Sequence, residues 1–311
     1  MRTLSTACLA CLDWGESVVR VSDEVRRLRK RFEARAEESQ IWDAVQLARH
    51  PDRPYTLDYV ERLFSDAFEL RGDRAFSDDE ALITMLARYH GQTVVAIGHQ
   101  KGRDLAERTR RMFGMPHPEG YRKAIRAVEL AERFGYPILT FVDTPGAYPG
   151  VKAEERGQAG MIARSVLAFC QASVPVVATV IGEGGSGGAL AIAVADRVQM
   201  QENAIYSVIS PEGCAAILWK DAGQAKKAAF AFRPTARACL DLGVIDTIVD
   251  EPSGGAHTDL DASARLLDTA LRQSLAEAEA IPPAQRRAMR RAKFRAMGVW
   301  GVADEPTNQD F

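Results

Sequence analysis

Residues 182–188 read Gly-Glu-Gly-Gly-Ser-Gly-Gly, five glycines in seven positions. The run Val174-Pro-Val-Val-Ala-Thr-Val-Ile181 before it has the texture of a buried strand, and Ala189-Leu-Ala-Ile-Ala-Val194 after it that of a small-residue helix. A strand-to-helix turn stripped of Cβ atoms lets main-chain N–H groups come close to a ligand, and the helix start adds unpaired donors and a partial positive charge. Such a turn suits an anion or a developing oxyanion. Three chemistries compete for it. Gly182, Gly184 and Gly187 match the dinucleotide pattern G-x-G-x-x-G, but the following helix is short before Asp196-Arg197 and the nearby acidic residue, Glu202, does not end the next strand cleanly. Gly184 to Gly188 also match G-x-S-x-G, which would make Ser186 the nucleophile of a serine hydrolase; the one histidine downstream, His257, sits in the loop-like stretch Gly254-Gly-Ala-His-Thr-Asp259. The third reading is an oxyanion hole without a nucleophile of its own, which needs no base.

A second loop strengthens the third reading. Ile138-Leu-Thr-Phe-Val-Asp-Thr-Pro-Gly-Ala-Tyr-Pro-Gly150 is a strand ending in a turn dense in Pro and Gly, one crossover unit earlier. Neighbouring parallel strands bring such loops side by side at their C-terminal ends. The N–H groups of Gly146 and Ala147 are therefore expected to face the same pocket, with Asp143 the polar end of its strand. No H-E-x-x-H or P-loop lysine motif competes, and His50, His90, His99, His117 and His257 are scattered.

The elements that must position these loops follow from periodicity. Strands are predicted at Leu82 to Tyr89, Thr93 to His99, Ile138 to Asp143, Val176 to Ile181, Arg197 to Met200, Ala204 to Ile209 and Asp246 to Val249. Helices are predicted between them at Glu119 to Phe134, Glu154 to Ala172 and Gly188 to Ala195. Strand, glycine loop, helix and strand recur, which points to an α/β fold with parallel crossovers. The first 70 residues read as helical: a charged helix over Val21 to Glu38, a turn or two at Ile41 to Ala48 ended by His50-Pro-Asp-Arg-Pro54, and a helix capped by Thr56 or Asp58 carrying Val60, Leu63, Phe64 and Phe68. Asp259 to Met297 is helical again, and the crowd Arg286, Arg287, Arg290, Arg291, Lys293 and Arg295 reads as a solvated face or as a site for an anionic partner. The division expected is thus a helical extension over 1–70, a core over 71–257 and a helical tail over 258–311.

The 311 residues, 46% hydrophobic and 26% charged, exclude disordered and collagen-like classes. A formal net charge of -2 gives no global field for nonspecific nucleic-acid binding. Five cysteines, at positions 8, 11, 170, 214 and 239, do not form a disulfide framework, and Cys8-Leu-Ala-Cys11 lacks the second half of a zinc ribbon, so no metal is expected. The apolar stretch Thr3 to Leu12 is too short and polar for a signal peptide, and no window is apolar over the roughly 20 residues of a spanning helix. A cytoplasmic protein is expected.

Further motifs extend the pattern. Arg71-Gly-Asp-Arg74, Ile97-Gly-His-Gln-Lys-Gly-Arg103, Phe113-Gly-Met-Pro116, Pro118-Glu-Gly-Tyr-Arg-Lys-Ala124, Asp143-Thr-Pro-Gly-Ala-Tyr-Pro-Gly150, Ala153-Glu-Glu-Arg-Gly-Gln158, Ile181 to Leu190 and Tyr206-Ser-Val-Ile-Ser-Pro-Glu-Gly-Cys214, spread from about Leu47 to His257, resemble the carboxyltransferase alpha subunits of multisubunit bacterial-type acetyl-CoA carboxylase. The resemblance implies a crotonase-like core of repeated β-β-α units. It also implies transfer of a carboxyl group from carboxybiotin, held on a biotin carboxyl carrier protein, to acetyl-CoA, giving malonyl-CoA for fatty acid synthesis. It further implies a homologous beta subunit in an α2β2 heterotetramer, with biotin carboxylase as an indirect partner. By position, Gly187 and Gly188 would offer N–H groups to the biotin ureido oxygen, with Gly146 and Ala147 as a second donor loop. Gly184, Gly185, Ser186, Tyr148, Lys101 and Arg103 would line the substrate, the last two against a CoA phosphate or the beta chain, or would lie in a solvated loop. Glu154, Glu155 and Arg156 begin a helix and are expected to be structural. Residues 1–20, 225–242 and the tail depart from the family pattern, which leaves the partner contacts open.

Overall fold

The computed structural model describes residues 36–298. Its β-branched runs form one sheet of eight strands: β1 (Ser65–Glu69), β2 (Leu82–Tyr89), β3 (Gln92–His99), β4 (Ile138–Thr144), β5 (Val176–Gly185), β6 (Arg197–Gln201), β7 (Ile205–Ser207) and β8 (Thr247–Val249). The order is β1-β2-β3-β4-β5-β6-β8, with β7 on β5. β1, β2 and β3 pair antiparallel, and from β3 onward every named pairing is parallel. The strand-strand-helix repeat is plain at β2-β3 followed by α4 (Pro118–Phe134) and at β6-β7 followed by α8 (Pro211–Trp219).

Both faces of the sheet are covered, which is why β4 and β5 read as continuous apolar runs rather than alternating ones. On one face Val95, Ile97, Ile138 and Val176 pack against α4, α6 (Gln158–Gln171) and α7 (Ser186–Ala193) through Tyr121, Phe169 and Ile192. On the other, Val94, Ala96, Leu139 and Val177 meet α2 (Thr56–Leu63) and α11 (Leu260–Glu279), whose Leu267, Leu271 and Leu275 recur at four-residue spacing. The N-terminal and C-terminal helical segments thus close the same face.

Several elements differ from expectation. The predicted helix through Phe68 stops at Leu63, and residues 65–69 form the edge strand β1, because pairing with β2 outweighs the helical spacing of Phe64 and Phe68. Thr56 does not cap α2; its hydroxyl donates to the His99 carbonyl at 2.5 Å, and Asp58 reaches back to the Tyr55 N–H at 2.6 Å. The single helix predicted over Glu154 to Ala172 is two, α5 (Val151–Glu155) and α6, separated at Gly157, where φ is 81°. Residues 259–297 likewise divide into α11 and α12 (Pro283–Arg295).

The basic run on α12 is divided between an inward, partnered set and a solvated face. Arg286 and Arg290, four apart, point inward. The Arg290 guanidinium forks onto Asp196 at 3.0 and 2.6 Å and donates to the carbonyls of Phe169, Ala172 and Val174. Arg286 donates to the Ser173 carbonyl, and Lys293 pairs with Asp246; Arg287, Arg291 and Arg295 are exposed. The Cys8/Cys11 pair, the Thr3 to Leu12 stretch and most of the Val21 to Glu38 helix lie outside the described residues.

Candidate active site

β5 serves two neighbours in succession. Val177 to Val180 pair with β6, and Glu183 to Gly185 pair with β7. At the switch the Ile181 carbonyl accepts from the Arg53 Nε at 2.6 Å, while Arg53 also pairs with the buried Glu251 at 2.5 Å. The chain then enters α7 through Ser186, held at φ 54°, with Gly185 as an N-cap that has no side chain to satisfy the first turn. Among the described residues, no hydrogen bond uses the N–H of Gly187 or Gly188. The helix therefore presents unspent donors at its positive end.

The second loop lies against this turn, as parallel neighbours require. A Cβ on Gly188 would stand 2.5 Å from the Ala147 nitrogen, so only glycine lets the two loops close together. A Cβ on Gly187 would meet nothing nearer than Ile162 Cγ2 at 3.5 Å. The expected donor pair in this loop is halved. The Gly146 N–H donates to Thr144 Oγ1 at 3.0 Å, and that hydroxyl donates to the Gly146 carbonyl at 2.7 Å, so Gly146 is spent on its own turn. The Ala147 N–H has no acceptor among the described residues.

Beneath the turn is a chain of charges. Lys101 Nζ lies 2.7 Å from Asp143 Oδ1 and 2.9 Å from Glu183 Oε2; Arg49 Nε lies 2.7 Å from Glu183 Oε1, and its Nη1 2.7 Å from Glu212 Oε1. Asp143 also accepts the Glu183 N–H at 2.9 Å, in room left by Gly182, where a Cβ would collide with Asp143 Oδ1. Burial pushes the Asp143 carboxyl up despite Lys101. Burial also pushes Glu183 up, but Lys101 and Arg49 outweigh it and hold that carboxyl below its ordinary range. Lys101 is held above its ordinary value, burial being overcome by the two carboxylates. Next to this chain His99 is fully buried, with its Nε2 unpartnered and its Nδ1 accepting from the Asp143 N–H at 3.4 Å. Burial, then Lys101, pushes the imidazole down to about 3, so it is neutral near pH 7.

Most of the other expected substrate contacts are engaged by neighbours within the protein. Lys101 is locked as above instead of facing solvent or ligand. Arg103 donates to the carbonyls of Pro51 and Arg53, pairs with Asp58 at 2.5 Å and stacks over Tyr55. Tyr148 stacks on His117 at 4.3 Å between ring centroids, and Gly184 and Gly185 are taken up in pairing with β7. Ser186 is exposed. Glu154 and Glu155 stand in α5, and Arg156 pairs with Glu119 at 2.8 Å.

A nucleophile elbow at Ser186 finds no base. His257 is stacked on His50 at 3.7 Å between centroids, and among the described residues no hydrogen bond joins Ser186 to a histidine. The contact between Arg49 and Glu183 was not legible in the sequence. The available signal was that Glu183 and Ser186 are the only residues with side chains in the seven-residue turn. No group of three or more His, Cys, Asp or Glu suited to a metal occurs among the described residues.

Comparison with known proteins bears on this geometry. A family model described as acetyl co-enzyme A carboxylase carboxyltransferase-like matches residues 10–298. The chain is 55% identical over 286 residues to the acetyl-coenzyme A carboxylase carboxyl transferase subunit alpha of Thermus thermophilus, covering 92% of this chain and 91% of that protein. It is 58% identical over 254 residues to the protein of the same name from Sorangium cellulosum, covering 82% and 80%. Among solved structures, the transcarboxylase 12S core with methylmalonyl-coenzyme A superposes with a TM-score of 0.57 at 22% identity, over 70% of this chain and 41% of that one, a likeness of fold.

Proposed function

Because the chain belongs to the acetyl co-enzyme A carboxylase carboxyltransferase family, we propose that it is the alpha subunit of that enzyme, moving a carboxyl group from carboxybiotin on a carrier protein to acetyl-CoA to form malonyl-CoA. Its α/β core is crotonase-like, as the motifs led us to expect. The observation that carries the reading is the pair of unspent amides at Gly187 and Gly188, with Ala147 alongside and no base in hydrogen-bond contact with Ser186.

These groups fit a biotin ureido oxygen: three main-chain donors border a turn that has no side chain at 187 or 188. The substrate supplies the chemistry of an N-carboxylated urea, in which the oxygen gains negative charge as the carboxyl group leaves. Gly187 and Gly188 hold that oxygen at the positive end of α7. Donors fixed before the reaction cost no reorganisation during it, and one such donor contributes roughly 2.7 to 4 kcal/mol to the transition state. Acetyl-CoA is assigned mainly to a beta subunit, in an α2β2 assembly in the cytoplasm. No helix among the described residues is long and apolar enough to cross a membrane.

The test is reconstitution. The chain is mixed with a beta subunit, free biotin and malonyl-CoA, and acetyl-CoA formation is followed in the reverse direction. Turnover that requires both subunits is expected; none at any ratio overturns the assignment.

A further inference from the structure

The turn that carries the amides pairs with β7 through the backbone of Glu183 to Gly185, but it has few side chains to anchor it. Of residues 182–188 only Glu183 and Ser186 have side chains, and Ser186 is exposed. Glu183 is gripped at three points: Oε1 by Arg49, Oε2 by Lys101, and its N–H by Asp143 Oδ1. Arg49 comes from the end of the N-terminal helix α1, described from residue 36 to 48, and its other edge forks onto Glu212 in the first turn of α8 at 2.7 and 3.2 Å. A carboxylate engaged through both oxygens by charged donors adds a side-chain anchor to a glycine-rich backbone otherwise fixed by strand pairing.

We propose that Arg49 is a positioning residue for the oxyanion turn: by holding Glu183 against Lys101 and Asp143 it fixes the amides of Gly187 and Gly188, four and five residues on, and makes the N-terminal segment a working part of the active site. This rests on the reading of the turn as an oxyanion hole. A displacement of about 1 Å at a reacting centre costs on the order of 100-fold in rate, so a loosened turn is felt mainly in turnover. Malonyl-CoA, held mainly by the other subunit, is affected little in binding.

The experiment uses the full chain assembled with a beta subunit and compares Arg49→Gln, Arg49→Lys, Glu183→Gln and the Arg49→Gln/Glu183→Gln double variant, with Arg62→Gln as a control on an exposed pair. Turnover per assembled complex falls about tenfold or more in either Gln variant, with KM for malonyl-CoA within about twofold. Lysine at 49 restores part of the loss, the double variant is no worse than the poorer single one, and the control is unchanged. Hydrogen exchange of the peptide covering residues 181–190 accelerates in Arg49→Gln while that covering 138–144 does not. Unaltered turnover in Arg49→Gln with an active parent overturns the proposal and leaves the assigned reaction standing. A parent without turnover overturns the assigned reaction, and the exchange measurement still decides whether Arg49 holds the turn: unchanged protection of 181–190 refutes it.

Discussion

The glycine turn at the start of α7 and the basic face of α12 are the two stretches whose composition most suggests a bound anion, and the fold treats them oppositely. On α12 the inward cations are fully partnered: Arg290 meets Asp196 and three carbonyls, and Arg286 meets the carbonyls of Ser173, Ala278 and Ile281. At α7, where there is no cation at all, the N–H groups of Gly187 and Gly188 meet no acceptor among the described residues. Charge density therefore does not by itself mark an open anion site in this protein. Polar groups left unspent by the fold are a better guide, because most buried polar groups in a folded protein find a partner and each exception calls for an explanation.

The contrast can be broken most forcefully at α12. Arg290→Ala leaves the Asp196 carboxylate buried without its partner, which typically costs about 3 to 5 kcal/mol, and it frees three carbonyls. Thermal and denaturant unfolding of the chain should show a loss of that order, while turnover per folded, assembled complex stays within about twofold. A variant of normal stability and reduced turnover would move α12 into the site and dissolve the distinction.

Gly187→Val is the converse. The new Cβ meets only Ile162, at ordinary contact distance, so the melting temperature should change little and assembly with the beta subunit should persist. Crowding the amide should lower turnover by about 10²- to 10³-fold, the loss of one oxyanion donor. Equal activity in the variant would mean that this amide holds nothing.

Most of the sheet was legible because its strands carry period-two or continuous apolar patterns; β2 was readable to its end residues, Leu82 and Tyr89. β1 was not, since Phe64 and Phe68 fit a helix equally well and only the partner strand decides. At the site, the adjacency of the two loops followed from parallel topology, but how each amide is used did not. That the Gly146 N–H is spent on Thr144 Oγ1, and that Lys101 turns inward to Asp143, depends on contacts between residues that share no local pattern. The glycines were read as making room for a ligand; Gly182 and Gly188 instead make room for Asp143 and for the neighbouring loop.

A smaller effect comes from the layer under the turn. His99 is held at about 3 in the folded protein against about 6.5 when unfolded, so above pH 6.5 both states are neutral and nothing is lost. Between pH 6.5 and 3 the unfolded chain takes up a proton that the folded one refuses, and stability falls by up to about 1.4 kcal/mol per pH unit. Replacing the ring with a group that does not titrate, His99→Gln, should flatten that part of the stability curve relative to the parent. Carboxyl groups such as Asp79, pushed up to about 6 mainly by burial, titrate alike in both chains and cancel in the difference. Parallel curves would place the proton uptake elsewhere.

The smallest expected change discriminates most sharply between uses of the turn. Ser186 stands exposed at φ 54°, and no hydrogen bond among the described residues ties it to a histidine. If the hydroxyl were a nucleophile, Ser186→Ala would abolish activity; if the turn works through its amides, the substitution removes nothing from the reaction. Alanine is no worse suited than serine to a left-handed conformation, so the backbone has no new reason to move. Turnover within about threefold of the parent, together with no labelling of the parent by a fluorophosphonate, is expected from an amide that acts without its neighbour's side chain. A loss comparable to that of Gly187→Val would put the serine, rather than the helix start, at the centre of the chemistry.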